Sequence, residues 1–273
     1  MKHYPTVLSI AGSDPSGGAG IQADIKTCTA MGCYAMAAIT ALTAQNTLGV
    51  RSILNASDFL NNQLLAALDD ITPDAVKIGM LPDEQAVMTV ASVIEKYALK
   101  NIVLDPVMTA TSGDKLAASG MIDAMCRELL PKVTLLTPNI PEAEGLSGLK
   151  IACINDAGRA ARRIAAEYSI TAVLVKGGHL PPQGDLLFDS QSGKTWVFEG
   201  EHIDTTNTHG TGCTLSSAIA CGLACGLTID ESVERAKSFI TAAIKEGADY
   251  AIGQGHGAVN HLYNIIKNPI QWK

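Results

Sequence analysis

At 273 residues, with 47% hydrophobic and 17% charged residues, the chain is long enough to bury a sizeable core and reads as globular. A formal charge of -7 with no lysine or arginine block argues against a nucleic-acid partner, which needs many phosphate contacts, and leaves small anionic ligands open. No apolar run reaches the roughly 18 residues of a membrane span, and the opening Met1-Lys2-His3-Tyr4-Pro5 does not read as a signal peptide, so the expectation is a cytoplasmic protein without membrane contact.

Val7-Leu8-Ser9-Ile10 reads as a strand that enters a loop, 12–20, with four glycines in nine positions, and 21–33 then has helical spacing. Glycines at this density allow sharp turns and close approach of backbone to a ligand. The loop is neither a Walker loop nor a Gly-x-Gly-x-x-Gly turn. The alternation recurs: strand 75–79 before a helix over 84–97, strand 101–105 before a helix over 121–130, and strand 135–137 before Pro138-Asn139. A helix over 155–168 precedes 172–176, whose continuous apolar run fits a strand covered on both faces. Two runs, 186–188 and 195–198, flank a polar turn and predict an antiparallel hairpin, after which helical spacing returns over 214–225 and 233–244. The pattern is α/β: a central, mostly parallel sheet flanked by helices on both faces, with a small hairpin. No linker or repeat interrupts it, so 1–273 reads as a single domain.

Open parallel sheets bind ligands beyond the carboxyl ends of their strands, where the sequence puts Asp14, Asp105, Asn139 and Lys176. A lysine ending a buried strand is costly to desolvate unless it meets an anion, which makes Lys176 a candidate for a polyphosphate. Asn139 and Glu142 suit a helix-capping box, or oxygen ligation of Mg²⁺ in which Asp105 joins or orders the water shell. In 209–214, His209-Gly210-Thr211-Gly212-Cys213-Thr214, a glycine turn opens an apolar helix, so backbone N–H groups and the helix dipole form an anion site. Three readings compete for Cys213: a nucleophilic thiol of a hydrolase, with a histidine such as His209 as base; a participant in phosphoryl transfer, with its pKa lowered at the helix start; and a structural cysteine. Only phosphoryl transfer also uses Lys176, the carboxylates and the first glycine loop. Of the seven cysteines most read as small buried hydrophobes, and Cys221 with Cys225 reads as packing rather than a metal pair. His256 and His261 do not share a helical face, so a zinc set there is disfavoured.

The ordered strings Ala11–Asp24, Ile39–Thr47, Lys77–Leu81, Asp105–Met108 with Ser112-Gly113-Asp114, Thr137–Glu144, Val175–His179 and Asn207–Thr214 resemble the hydroxymethylpyrimidine and hydroxymethylpyrimidine phosphate kinases of bacterial thiamine biosynthesis, within the ribokinase-like superfamily. The resemblance implies a ribokinase-like fold and ATP-dependent phosphorylation of 4-amino-5-hydroxymethyl-2-methylpyrimidine and of its monophosphate, with Mg²⁺ and a homodimer. It implies pyrimidine contacts at Gln45, Gly12, Asp24, Met80 and Val107, and ATP at Lys176 with His209, Gly210 and Gly212. It puts Mg²⁺ near Asn139, Glu142 and Asp105, and transfer chemistry at Gly210, Thr211, Gly212, Cys213 and Lys176. The first glycine loop then serves the pyrimidine, not the nucleotide. Where the superfamily usually has an aspartate base, this chain has Cys213, as the pyrimidine subgroup does. The alternatives are pyridoxine or pyridoxal phosphorylation, for which residue 45 discriminates, and a cysteine hydrolase.

Overall fold

The computed structural model describes residues 2–107, 120–178 and 183–265; Met108, the 112–114 string and His179 lie outside them. Nine strands among the described residues form one sheet: β1 (Thr6–Ser13), β2 (Tyr34–Asn46), β3 (Gly49–Asn55), β4 (Ala75–Ile78), β5 (Ile102–Leu104), β6 (Leu135–Leu136), β7 (Ala172–Val175), β8 (Gly184–Asp189) and β9 (Thr195–Glu199), in the order β3-β2-β1-β4-β5-β6-β7-β8-β9. From β2 to β7 neighbours run parallel, while β3, β8 and β9 add antiparallel edges.

Strand parity sorts the central residues between two cores. Leu8, Ile10, Val76, Ile78, Ile102, Leu104, Leu136, Val173 and Val175 pack with α2 (Ser57–Leu68), α3 (Glu84–Lys96), α4 (Met121–Ala124), α5 (Ile140–Ser147) and α6 (Ile154–Tyr168). Val7, Ala75, Val103, Leu135, Ala172 and Leu174 face α1 (Gly20–Ala30), α7 (Thr211–Ala224) and α8 (Ile229–Lys245). Burial on both faces explains why these strands read as unbroken apolar runs. The buried stripe of α6, Ala157, Ala160, Ala161, Ile164 and Ala165, follows the helical period. Asp83 starts α3 by accepting a hydrogen bond from the Ala86 N–H.

Three expectations need correction. Residues 34–74 read as no element, yet they contain β2, β3 and α2. The strand pair escaped because β3 has no buried residue, so it lacks the apolar alternation that marks a strand. The helix expected over 121–130 is α-helical only to Ala124, then continues through a π turn over 125–129 and a 3₁₀ turn over 130–132 that holds Pro131. The helix expected from Thr214 starts at Thr211, because Gly210 takes the left-handed conformation (φ 79°) that turns the chain into the helix.

Candidate active site

The carboxyl ends of β1, β5, β6 and β7 bring Asp14, Asp105, Asn139 and Lys176 to one edge, facing the start of α7. Lys176 is aligned by its backbone N–H, which donates to the Pro138 carbonyl at 2.8 Å. Its Nζ lies 2.5 Å from Asp105 Oδ1, with the lysine side chain 19% and the aspartate 3% exposed. Burial acts to lower the Lys176 pKa, but Asp105 and then Glu142 outweigh it, so the pKa is raised and the ammonium stays charged. The first turn of α7 abuts this pair: a Cβ built at Gly212 would stand 3.2 Å from Asp105 Oδ2 and 3.6 Å from Lys176 Nζ. The turn before it is equally close to the first glycine loop, since a Cβ at Gly210 would fall 1.8 Å from the Gly18 carbonyl oxygen. Backbone amides, one ammonium and one carboxylate therefore share a small space, which suits a phosphoryl group in transfer.

Asn139 and Glu142 form a reciprocal capping box: the Glu142 N–H donates to Asn139 Oδ1 at 2.9 Å and the Asn139 N–H to Glu142 Oε2 at 2.8 Å. This is the capping alternative, and it engages oxygens expected at a metal. Among the described residues no group of three or more His, Cys, Asp or Glu could hold an ion by itself. The oxygen donors Asp105 and Glu142 nonetheless suit Mg²⁺, which keeps waters and takes substrate phosphate oxygens as ligands.

Cys213 is half-buried in the first turn of α7, beyond Thr211 and Gly212. The expected acidification does not occur. Burial pushes the thiol up, Asp24 and Asp105 add to that, and Lys77 with the Gly20 backbone bond opposes them without prevailing. A histidine base is missing from the described surroundings. His209 Nε2 faces Asp14 Oδ2 at 2.8 Å, His261 Nε2 faces Thr214 Oγ1 at 2.9 Å, and His256 Nδ1 faces the Thr206 carbonyl at 3.3 Å.

Asp14 organises the first glycine loop. One carboxylate oxygen accepts from the Ser16 N–H and hydroxyl, the other from the Gly18 and Ala19 N–H groups and from His209. Burial alone would raise its pKa, but His209, Ser16 and the amides hold it well below the usual carboxylate range. Beside it lies Gln45, whose amide contacts His209 Nε2 at 3.4 Å and Thr43 Oγ1 at 3.3 Å. The Thr43 hydroxyl donates to the Ser13 carbonyl at 2.8 Å, and Asp14 requires a proton on His209 Nε2. Donor arithmetic therefore turns the Gln45 NH₂ toward Thr43 and its oxygen toward His209. His209, expected with the nucleotide, is hydrogen-bonded to Asp14 and lies against Gln45. Gly12 and Met80 are adjacent, a Cβ at Gly12 standing 3.1 Å from Met80 Sδ; Thr40 holds the Met80 carbonyl at 2.7 Å, and Val107 follows β5.

Asp24, which the resemblance puts among the pyrimidine contacts, has its carboxylate engaged within the protein. It is fully buried beneath the site, where Lys77 Nζ meets both its oxygens at 2.9 and 2.8 Å and the hydroxyls of Ser9 and Ser217 donate to it at 2.5 and 2.7 Å. Lys77 has the strand parity of Ala75 and so points to the α1/α7 side; burial acts to lower its pKa but Asp24 holds it well above the normal lysine range. The signal in the sequence was a lysine flanked by Val76 and Ile78 in an apolar strand. Its partners, on β1, α1 and α7, could not be read from spacing.

An open parallel sheet whose strand ends face a glycine-started helix and a lysine–aspartate pair defines a ribokinase-like small-molecule kinase. Residues 14–260 match the family described as phosphomethylpyrimidine kinase. The chain is 45% identical over 267 residues to a hydroxymethylpyrimidine/phosphomethylpyrimidine kinase of Rhizobium meliloti, covering 96% of this chain and 98% of that one. Among solved structures it resembles phosphomethylpyrimidine kinase from Clostridium difficile (TM-score 0.78, 40% identity, 88% of this chain and 99% of that one). It also resembles a pyridoxal kinase of Bacillus subtilis in an ADP complex (TM-score 0.85, 37% identity, 95% and 98%). The chain belongs to the phosphomethylpyrimidine kinase family.

Proposed function

We propose that this kinase uses ATP with Mg²⁺ to phosphorylate 4-amino-5-hydroxymethyl-2-methylpyrimidine and then its monophosphate, as one domain over 1–273. The observation that carries the reading is the contact of Lys176 and Asp105 with the first turn of α7 at Gly212. Lys176 exchanges Asp105 for a phosphate oxygen of ATP, and the amides at Gly210, Thr211 and Gly212 take up charge on the moving phosphoryl group. Asp105 and Glu142, with Asn139 fixing the latter, would hold Mg²⁺, which would supply charge neutralisation on the phosphates. Cys213 keeps its proton and places the acceptor oxygen, and in a loose transition state the hydroxymethyl proton leaves late. Gln45 reads the aminopyrimidine edge, with Gly12, Met80 and Val107 around the ring and His209 orienting the Gln45 amide.

The exposed apolar residues Leu42 on β2, Leu48 in the turn after it, Ile53 and Leu54 on β3 and Phe59 at the start of α2 support a homodimer through that edge. Among the described residues no helix is long and apolar enough to cross a membrane. All seven cysteines are free, which supports a reducing, cytoplasmic setting.

The test is mass spectrometry of products from MgATP with hydroxymethylpyrimidine, its phosphate, pyridoxine and pyridoxal. Two successive phosphate additions to the pyrimidine are expected; hydrolysis without transfer, or transfer to the pyridines alone, would overturn the reading. The second reading, vitamin B6 phosphorylation, rests on the likeness to the Bacillus subtilis pyridoxal kinase.

A further inference from the structure

Four of the seven cysteines gather away from the candidate site, where the end of α1 meets the end of α7. Cys28 lies in α1, Cys33 three residues beyond it, Cys221 in α7 and Cys225 at that helix's carboxyl cap. Cys28, Cys33 and Cys221 are buried and Cys225 is exposed. Cys33 Sγ lies 3.9 Å from Cys225 Sγ and 3.9 Å from the Cys221 carbonyl oxygen. The backbone holds the two sulfurs in register: the Cys33 N–H donates to the Cys28 carbonyl at 2.9 Å and the Cys225 N–H to the Cys221 carbonyl at 3.0 Å. Each cysteine adjoins a left-handed glycine, Gly32 (φ 80°) and Gly226 (φ 82°). Closing the sulfurs to a bond of about 2.05 Å requires these two turns to approach each other.

We propose that Cys33 and Cys225 form a reversible dithiol/disulfide site whose electron acceptor is a low-molecular-weight disulfide such as glutathione disulfide. The two sulfurs are unequal in access and in acidity. Cys225 is the sulfur that a bulky disulfide reaches; burial and the neighbouring Cys33 push its thiol up, and Arg235 opposes them without prevailing while offering a cation to an anionic peptide. Cys33 is hidden but ionises readily: the Cys221 side chain, and after it Cys225, bring its thiol down to about 7 against the opposing effect of burial. In the first exchange the Cys225 thiolate attacks one sulfur of glutathione disulfide, forming a mixed disulfide and releasing one glutathione thiolate, which takes up the proton Cys225 lost. In the second, the Cys33 thiolate attacks Cys225 Sγ along the short gap, and the second glutathione leaves as a thiolate. Two protein thiols are oxidised, one disulfide is reduced to two thiols, and no other reactant is needed. The bridge would tie the carboxyl end of α7 to the turn that leads into β2.

The test incubates the reduced full-length chain with glutathione disulfide at neutral pH, quenches by alkylation and maps non-reduced peptides by mass. The expected wild-type product is two hydrogens lighter, with one linked peptide pair joining Cys33 to Cys225, reversed by dithiothreitol. Cys33→Ser should retain glutathione on Cys225, because the resolving sulfur is gone, and Cys225→Ser should yield no Cys33 link. Thermal melts of both variants check that each is folded. A wild-type chain that keeps a stable glutathione adduct on Cys225, links other cysteines instead, or stays fully reduced would overturn the proposal.

Discussion

Two lysine–aspartate pairs stand on the same sheet and have opposite fates. Lys77 and Asp24 are both 0% exposed, and the two serines complete the carboxylate's hydrogen bonds. Lys176 and Asp105 are as close, but the lysine keeps 19% of its side chain exposed and faces the amides of α7. Among the described residues, Thr137 alone adds a hydroxyl to Asp105, at 3.3 Å. A closed pair with every partner internal can only hold elements together; an open pair beside the first turn of α7 can trade its carboxylate for an arriving anion. Residue type does not distinguish the two. The third neighbour does.

That contrast can be broken first at the closed pair. Lys77→Met leaves the Asp24 carboxylate buried without its cation and should cost about 3–5 kcal/mol in denaturant unfolding. Adding Asp24→Asn should recover most of it. A Lys77→Met enzyme that melts normally would show the pair is not a structural clamp. At the open pair the larger effect should be on turnover: Lys176→Ala is expected to lower kcat/KM for ATP by about 100- to 1000-fold, with a smaller loss of stability than at the closed pair.

The start of α7 sharpens the contrast through pH. His261 is buried against Thr214, and burial brings its pKa down to about 4. The unfolded chain binds a proton on this histidine below about pH 6.5 and the folded chain does not until about pH 4. Stability should therefore be full above about 6.5 and fall as pH drops through that window, by on the order of 3 kcal/mol. His261→Asn should flatten the slope of unfolding free energy against pH; an unchanged slope would remove His261 from the account. Smallest is the change at Cys213, whose thiol feels Lys77, Asp24 and Asp105 together. Cys213→Ala should lower kcat by less than the roughly 100-fold that loss of a general base costs at minimum, with the KM for hydroxymethylpyrimidine little moved. A thiolate base would instead cost far more and shift the acid limb of the kcat–pH profile.

Much of the fold was legible because periodicity and burial coincide: the parallel strands β4, β5 and β7 are apolar throughout, and α6 repeats its alanines at the helical period. The hairpin of β2 and β3 was not, since an exposed edge carries no hydrophobic pattern to read. Within the site, Lys176, Asp105 and the glycine turn were visible as polar residues at strand ends and a helix start. The place of Asp24 was not. A carboxylate in a motif looks alike whether it lines a pocket or lies under it.

The sequence by itself determined the layered α/β plan, the strand ends where chemistry gathers and the family, because those depend on local periodicity and on residue types kept in order along the chain. Only the tertiary structure decided which lysine is sealed and which is open, that Asn139 and Glu142 cap a helix, that His209 bonds to Asp14 and lies against Gln45, and that the thiol of Cys213 is raised rather than acidified. Each of these depends on burial and on partners far apart in sequence, and desolvation together with a single close charge or hydrogen bond outweighs what a residue's neighbours in the chain would suggest.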